Sequence, residues 1–134
     1  MAIDKERARI LIVDDERDFV ELVKAILEGE GHDVIGATNS DEAAESYSSS
    51  NPDLVILDVM MEHLTSGLDL LRRFRCRNEG ARTPVILLSS FETVFELDNV
   101  VDESWLDVER FLRKPLDSAK LVQTVDDVLS RRGA

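Results

Sequence analysis

The stretch NPDLVILDVMMEHLTSG, Asn51–Gly67, decides how the rest of the chain is read. Leu54–Leu57 is an unbroken apolar run with β-branched residues at its centre, followed at once by the carboxylate of Asp58. A strand that is apolar throughout fits a parallel sheet covered by helices on both faces; a strand with one face in water would alternate. In an open α/β sheet, ligands gather beyond the carboxyl ends of the strands. A lone acid in that place also serves as a helix cap or a turn former. Asp58 therefore gains meaning only if other strands end in the same way.

Working outward, Arg9–Val13 (RILIV) reads as a buried strand and is followed by Asp14, Asp15 and Glu16. Phe19, Val20, Leu22, Val23, Ile26 and Leu27 then recur at helical spacing, with Gly29 and Gly31 closing the helix. Asp33–Ala37 (DVIGA) is a shorter, less apolar strand, expected near a sheet edge. Ser40 is expected to cap a helix running to about Tyr47, with residues Ser48–Pro52 as a connecting loop. Beyond the central stretch, Leu68, Leu70, Leu71 and Phe74 mark another helix, and Pro84 introduces the strand Val85–Leu88, which ends in Ser89 and Ser90. Phe91–Val108 mixes aromatics with acids and carries only a weak helical period. Arg110–Arg113 (RFLR) is a short strand before Lys114 and Pro115. Ser118 is expected to cap a last helix with apolar positions Leu121, Val122, Val125, Val128 and Leu129. The alternation predicts an α/β fold: a doubly wound, five-stranded parallel sheet with right-handed crossovers and helices on both faces.

A length of 134 residues predicts a single domain, 1–134, with a core from about residue 8 to residue 132 and no output domain. Such a chain buries about two thirds of its unfolded surface. The formal net charge of -12 repels phosphate backbones and anionic membranes, so neither nucleic acid nor membrane is expected as a partner. Cys76 is the single cysteine and cannot form an internal disulfide. The N-terminus MAIDKERAR is too charged for a secretory signal, and no apolar run reaches membrane-spanning length. A cytoplasmic location is expected.

The strand ends share a pattern. The first is followed by Asp14 and Asp15, the third by Asp58, the fourth by Ser89 and Ser90, the fifth by Lys114. Alone, each has an ordinary structural use: the acid pair caps a helix, the serines make a loop, Lys-Pro makes a turn. Together they can meet in one crevice. Three neighbouring carboxylates repel one another, and a hard divalent cation removes that conflict. Mg²⁺ fits, since it prefers oxygen ligands and is commonly held by one or two carboxylates and a phosphate oxygen. A lysine adds a fixed positive charge and a serine hydroxyl adds a donor. The set suits a phosphoryl group delivered to, or carried by, a carboxylate nucleophile.

These motifs, the acid pair after ILIV with VILD, VILLSS and FLRKP, resemble the receiver domain of two-component response regulators over nearly the whole chain. The resemblance implies the flavodoxin-like strand order 2-1-3-4-5. It implies that Asp58 is the phosphoacceptor and that Mg²⁺ is held by Asp15, Asp58 and the backbone carbonyl of Met60, with Asp14 acting through water. Lys114 would pair with phosphoryl oxygens. Ser89 would be the hydroxyl that turns toward them, and Phe111 the aromatic switch that follows it inward. Met60 and Phe91 would flank the path of attacking water and slow dephosphorylation. The implied donor is a sensor histidine kinase or a histidine phosphotransfer protein. The implied output is an unidentified downstream protein target or onward relay, from a monomer or weak homodimer that catalyses only its own phosphorylation and dephosphorylation.

Three features depart from the family. Glu62 stands where proline is usual, the loop from Asp58 to Gly67 is about one residue longer, and Phe91–Val108 does not resemble the usual fourth helix. Among other classes, a haloacid-dehalogenase-type phosphatase needs a second aspartate two residues after the nucleophile, where this chain has Met60. A flavodoxin-like cofactor binder needs a Gly- or Ser/Thr-rich phosphate loop where this chain has Asp14, Asp15 and Glu16. A receiver-like interaction module that is never phosphorylated is the remaining alternative.

Overall fold

The computed structural model describes residues 7–58, 83–89, 110–113 and 117–132; for 89, 111, 113, 131 and 132 it describes the backbone alone. The strands are β1 Arg9–Val13, β2 Asp33–Ala37, β3 Leu54–Asp58, β4 Val85–Ser89 and β5 Arg110–Arg113. They form one parallel sheet in the order β2-β1-β3-β4-β5. The less apolar β2 is an edge strand, as its composition predicts. Helices α1 (Arg17–Gly29), α2 (Ser40–Ser50) and a C-terminal helix (Ser118–Arg132) are described beside the sheet. The helix expected around Leu68–Phe74 and the segment Phe91–Val108 lie outside the described residues.

Side chains leave a strand on alternate faces, and two apolar clusters divide β1 and β3 between them. Ile10, Ile12, Leu54 and Ile56 pack on one face with Val20, Val23 and Leu27 of α1 and Leu121, Val125 and Val128 of the C-terminal helix. Leu11, Val13, Val55 and Leu57 pack on the other with Ala43 and Tyr47 of α2. Full burial on both faces is why the central run carries no polar alternation. Burying each of these Leu, Ile or Val side chains stabilises the fold by about 1.5–3 kcal/mol.

The helix ends obey local chemistry. Gly31 (φ +95°) closes α1 in the left-handed region, its N–H bonding to Glu28 O (3.0 Å) while the His32 N–H bonds to Leu27 O (3.2 Å). That pair of bonds is a Schellman motif, and glycine takes its conformation without a Cβ penalty. At the start of α2 the cap is Asn39 rather than the expected Ser40: Asn39 Oδ1 accepts the Glu42 N–H (2.8 Å), and Ser40 is already the first helical residue. Likewise Asp117 Oδ1, rather than Ser118, accepts the Ala119 N–H (2.9 Å) ahead of the C-terminal helix. In both places an acid or amide outcompetes the serine beside it. The expected loop at Ser48–Pro52 is also shorter, since α2 continues through Ser50. Buried Ala43 and Tyr47 hold the helix against its serines' low propensity, Ser50 Oγ bonds back to Ser46 O, and the helix stops at Asn51 (φ 50°) before Pro52.

The turn into β3 is tied to the start of β1. Asp53 N–H donates to Arg9 O (2.7 Å), Arg9 N–H donates to Asp53 Oδ2 (2.9 Å), and Arg9 Nη1 reaches Ser50 O (2.7 Å). On β2, a Cβ built at Gly36 would come within 2.5 Å of Val20 Cγ1. Val is stiff at χ1 and cannot simply swing away. Gly36→Ala should therefore lose about 1–3 kcal/mol of stability in urea denaturation. Pairing it with Val20→Ala should lose less than the sum of the two single changes.

Glu42 Oε1 accepts from the Thr38 N–H (2.8 Å) and the Thr38 hydroxyl (3.1 Å). Those bonds, the backbone one foremost, hold its carboxyl below the ordinary value of 4.5. A lowered folded-state value means the bonds stabilise the fold above pH 4.5 and are lost as pH falls through the lowered value. The urea midpoint of Glu42→Gln should lie below that of the wild type at neutral pH, and the gap should close on acidification below 4.5. A gap that is constant with pH would count against this role.

Candidate functional site

The site forms where β1 and β3 end side by side. Their register sets Val13 opposite Leu57, so the next residues, Asp14 and Asp58, are brought together. Asp14 extends the β1–β2 ladder by one bond, its N–H donating to Ala37 O (3.1 Å). Its Oδ1 accepts the Glu16 N–H (2.9 Å), a side-chain turn that leads the chain into α1. The ordinary structural use of this acid is thus present. Asp14 is fully buried and Asp58 nearly so, whereas Asp15 is exposed.

The carboxylates of Asp14, Asp15 and Asp58 each offer an oxygen, all within 4.8 Å of one another. Among the described residues no fourth acid joins them. Each charged pair at such a separation repels by on the order of 3 kcal/mol at an effective dielectric constant of about 20. An oxygen-only donor set with two buried members fits a hard divalent cation such as Mg²⁺ and does not suit soft or nitrogen-seeking metals.

The neighbouring strand ends converge on the same edge. Asp58 is paired with Leu88, so Ser89 follows directly on the adjacent strand, and Ser89 is paired in turn with Arg113, the residue before Lys114. The backbones of Ser89 and Phe111 are described within β4 and β5; Met60, Phe91 and Lys114 lie outside the described residues. The hydrogen bonds that set Asp14 in place, from Glu16 and to Ala37, were not read from the sequence, where only the Asp-Asp-Glu run hints at a turn.

Like-charge repulsion has a measurable consequence. In a chelator, Asp58→Asn should raise stability by about 1–2 kcal/mol, because a buried like charge is removed at constant shape. Added Mg²⁺ should then raise the melting temperature of the wild type more than that of the variant. Equal gains in both would mean that Asp58 does not face the cation.

Known proteins resemble this chain in sequence and in fold. The transcriptional regulatory protein CpxR of Escherichia coli (strain K12) is 37% identical over 123 residues, which cover 92% of this chain and 50% of CpxR. This chain spans about half the length of the curated relatives it matches. Among solved structures, NtrX from Brucella abortus superposes with a TM-score of 0.82 at 27% identity, over 96% of this chain and 28% of that one. A response regulator receiver domain protein from Clostridium thermocellum superposes with a TM-score of 0.78 at 26% identity, over 94% of this chain and 97% of that one. The family model of the response regulator receiver domain matches residues 10–126, and the chain accordingly belongs to the response regulator receiver domain family of two-component signalling.

Proposed function

We propose that this chain accepts a phosphoryl group on Asp58 from a phosphohistidine, on a sensor histidine kinase or a histidine phosphotransfer protein, and thereby controls a partner protein or passes the group on. The observation that carries this reading is the meeting of the Asp14, Asp15 and Asp58 oxygens within 4.8 Å beyond the ends of β1 and β3. Exposed Asp15 is suited to direct ligation of Mg²⁺, together with Asp58 and the Met60 carbonyl. Asp14, buried and with one oxygen committed to Glu16, suits a role through water. Bound there, Mg²⁺ would neutralise the carboxylates and the charge on the transferring oxygens.

In the transfer, an Asp58 oxygen attacks phosphorus in line. The phosphorus–nitrogen bond breaks and its electron pair stays on the imidazole, while a phosphorus–oxygen bond forms on Asp58. Lys114 pairs with the phosphoryl oxygens. The new charge and acceptor oxygens recruit the Ser89 hydroxyl, and Phe111 follows, biasing a two-state equilibrium. Met60 and Phe91, bulky and apolar, exclude the water that would hydrolyse the product. The formal charge of -12 disfavours direct contact between this domain and nucleic acid, and no helix among the described residues is long and apolar enough to cross a membrane.

Intact-protein mass after incubation with acetyl phosphate tests the reading. Wild type with Mg²⁺ should carry one phosphoryl adduct that persists for minutes or longer; wild type in chelator and Asp58→Asn with Mg²⁺ should carry none. An adduct on folded Asp58→Asn would move the acceptor elsewhere. No adduct on the wild type from acetyl phosphate or from a panel of phosphorylated kinases would favour an interaction module that works without phosphorylation.

A further inference from the structure

Along β2 the backbone hydrogen-bonding groups face alternate sides. The Asp33 N–H bonds to Ala8 O and Ala37 O accepts the Asp14 N–H, so Asp33, Ile35 and Ala37 turn toward β1. Val34 and Gly36 turn their N–H and C=O outward, along the open edge of the sheet. The next N–H to face that way, of Thr38, is taken by Glu42 Oε1 (2.8 Å). Among the described residues no such cap meets the Gly36 N–H. Val34 is buried and Gly36 is exposed. A glycine has only backbone to expose, and Val20 already fills the place of its Cβ, so the exposure of Gly36 lies at the edge. Glycine within a strand marks a place where another backbone can approach closely.

Gly36 lies in a groove of about 440 Å³ between α1 and α2. The α1 wall carries Arg17 and Lys24, with Glu21 between them. The α2 wall carries Glu42 and Glu45, and α2 contains no lysine or arginine. Helix α1 packs on the face of Val34 and α2 on the face of Ile35 and Ala37, so the side chains of a strand added at this edge would point by turns to the two walls. We propose that β2 accepts a short extended segment of a partner protein, hydrogen-bonded to Gly36, whose acidic side chains turn toward Lys24 and whose basic side chains turn toward Glu45. A second copy of this chain is a poor occupant. Symmetric pairing of two β2 edges is antiparallel and keeps each face on its own side, which sets the α2 acids against the same acids. The inference goes beyond the phosphoryl-acceptor reading and does not depend on it, because neither Gly36 nor either wall belongs to the Asp14, Asp15 and Asp58 group.

Amide NMR on the isotope-labelled chain tests this with synthetic peptides of equal length, in the absence of Mg²⁺ and phosphodonor. One peptide alternates glutamate and lysine, and a second has the same composition in two blocks. Two more are the alternating peptide N-methylated at every glutamate or at every lysine, which removes the donors of one edge at a time. The alternating peptide should shift the Gly36 amide and slow its hydrogen exchange several-fold, and should bind more tightly than the block peptide by on the order of fivefold. N-methylation should abolish binding when it falls on one edge and leave it nearly unchanged when it falls on the other. Glu45→Lys should weaken the alternating peptide several-fold. Equal binding by the block peptide would reduce the effect to general attraction between charged chains and overturn the proposal. So would shifts that leave Gly36 untouched, equal behaviour of the two N-methylated peptides, or protection of the Gly36 amide by self-association without peptide.

Discussion

Val13 stands opposite Leu57 in the parallel ladder between β1 and β3. A slip of one residue would send Ile10 and Ile12 to the α2 side and Leu11 and Val13 to the α1 side, exchanging the two core faces. It would also part Asp14 from Asp58. The apolar packing on both sides therefore enforces a register whose energetic cost falls at its end, where buried acids are pressed together. The core is extensive enough to hold that arrangement, and a cation of the right hardness would relieve it.

The same ladder reaches outward to the sheet edge. The Asp14 N–H is held by Ala37, the last residue of β2, so the position of one site acid is tied to the edge strand. The absence of a side chain at Gly36 lets α1 settle against that strand. Since α1 begins directly after the acids, its seating on β2 and the placing of Asp14, Asp15 and Glu16 are parts of one arrangement. The loop carrying the acids is braced from β2 and leads straight into α1.

All five strands were legible in the sequence: β1, β3 and β4 are short apolar runs, while the less apolar edge strands β2 and β5 stood out by their place in the strand–helix alternation. The site acids were legible for a related reason: a carboxylate directly after such a run is conspicuous. The caps were harder. Ser40 and Ser118 each have a stronger acceptor just before them, in Asn39 and Asp117, and only the bonds to Glu42 and Ala119 decide between candidates. The serines at the end of α2 have low helical preference, which burial of Ala43 and Tyr47 overrides. The apolar period of α1 was read correctly as helical, yet six apolar positions make a stripe wider than the sheet can cover, and Leu22 is what remains outside.

Tyr47 is the only tyrosine in the chain. Its ring lies in the α2-side core, and its hydroxyl donates to Thr83 Oγ1 (3.1 Å), just ahead of β4. The protein thus carries a built-in chromophore on the face of the sheet away from α1. Its phenol lies where α2 meets the sheet, so a change in how that helix is seated would alter the ring's surroundings and its contribution to the near-ultraviolet dichroism without any attached label.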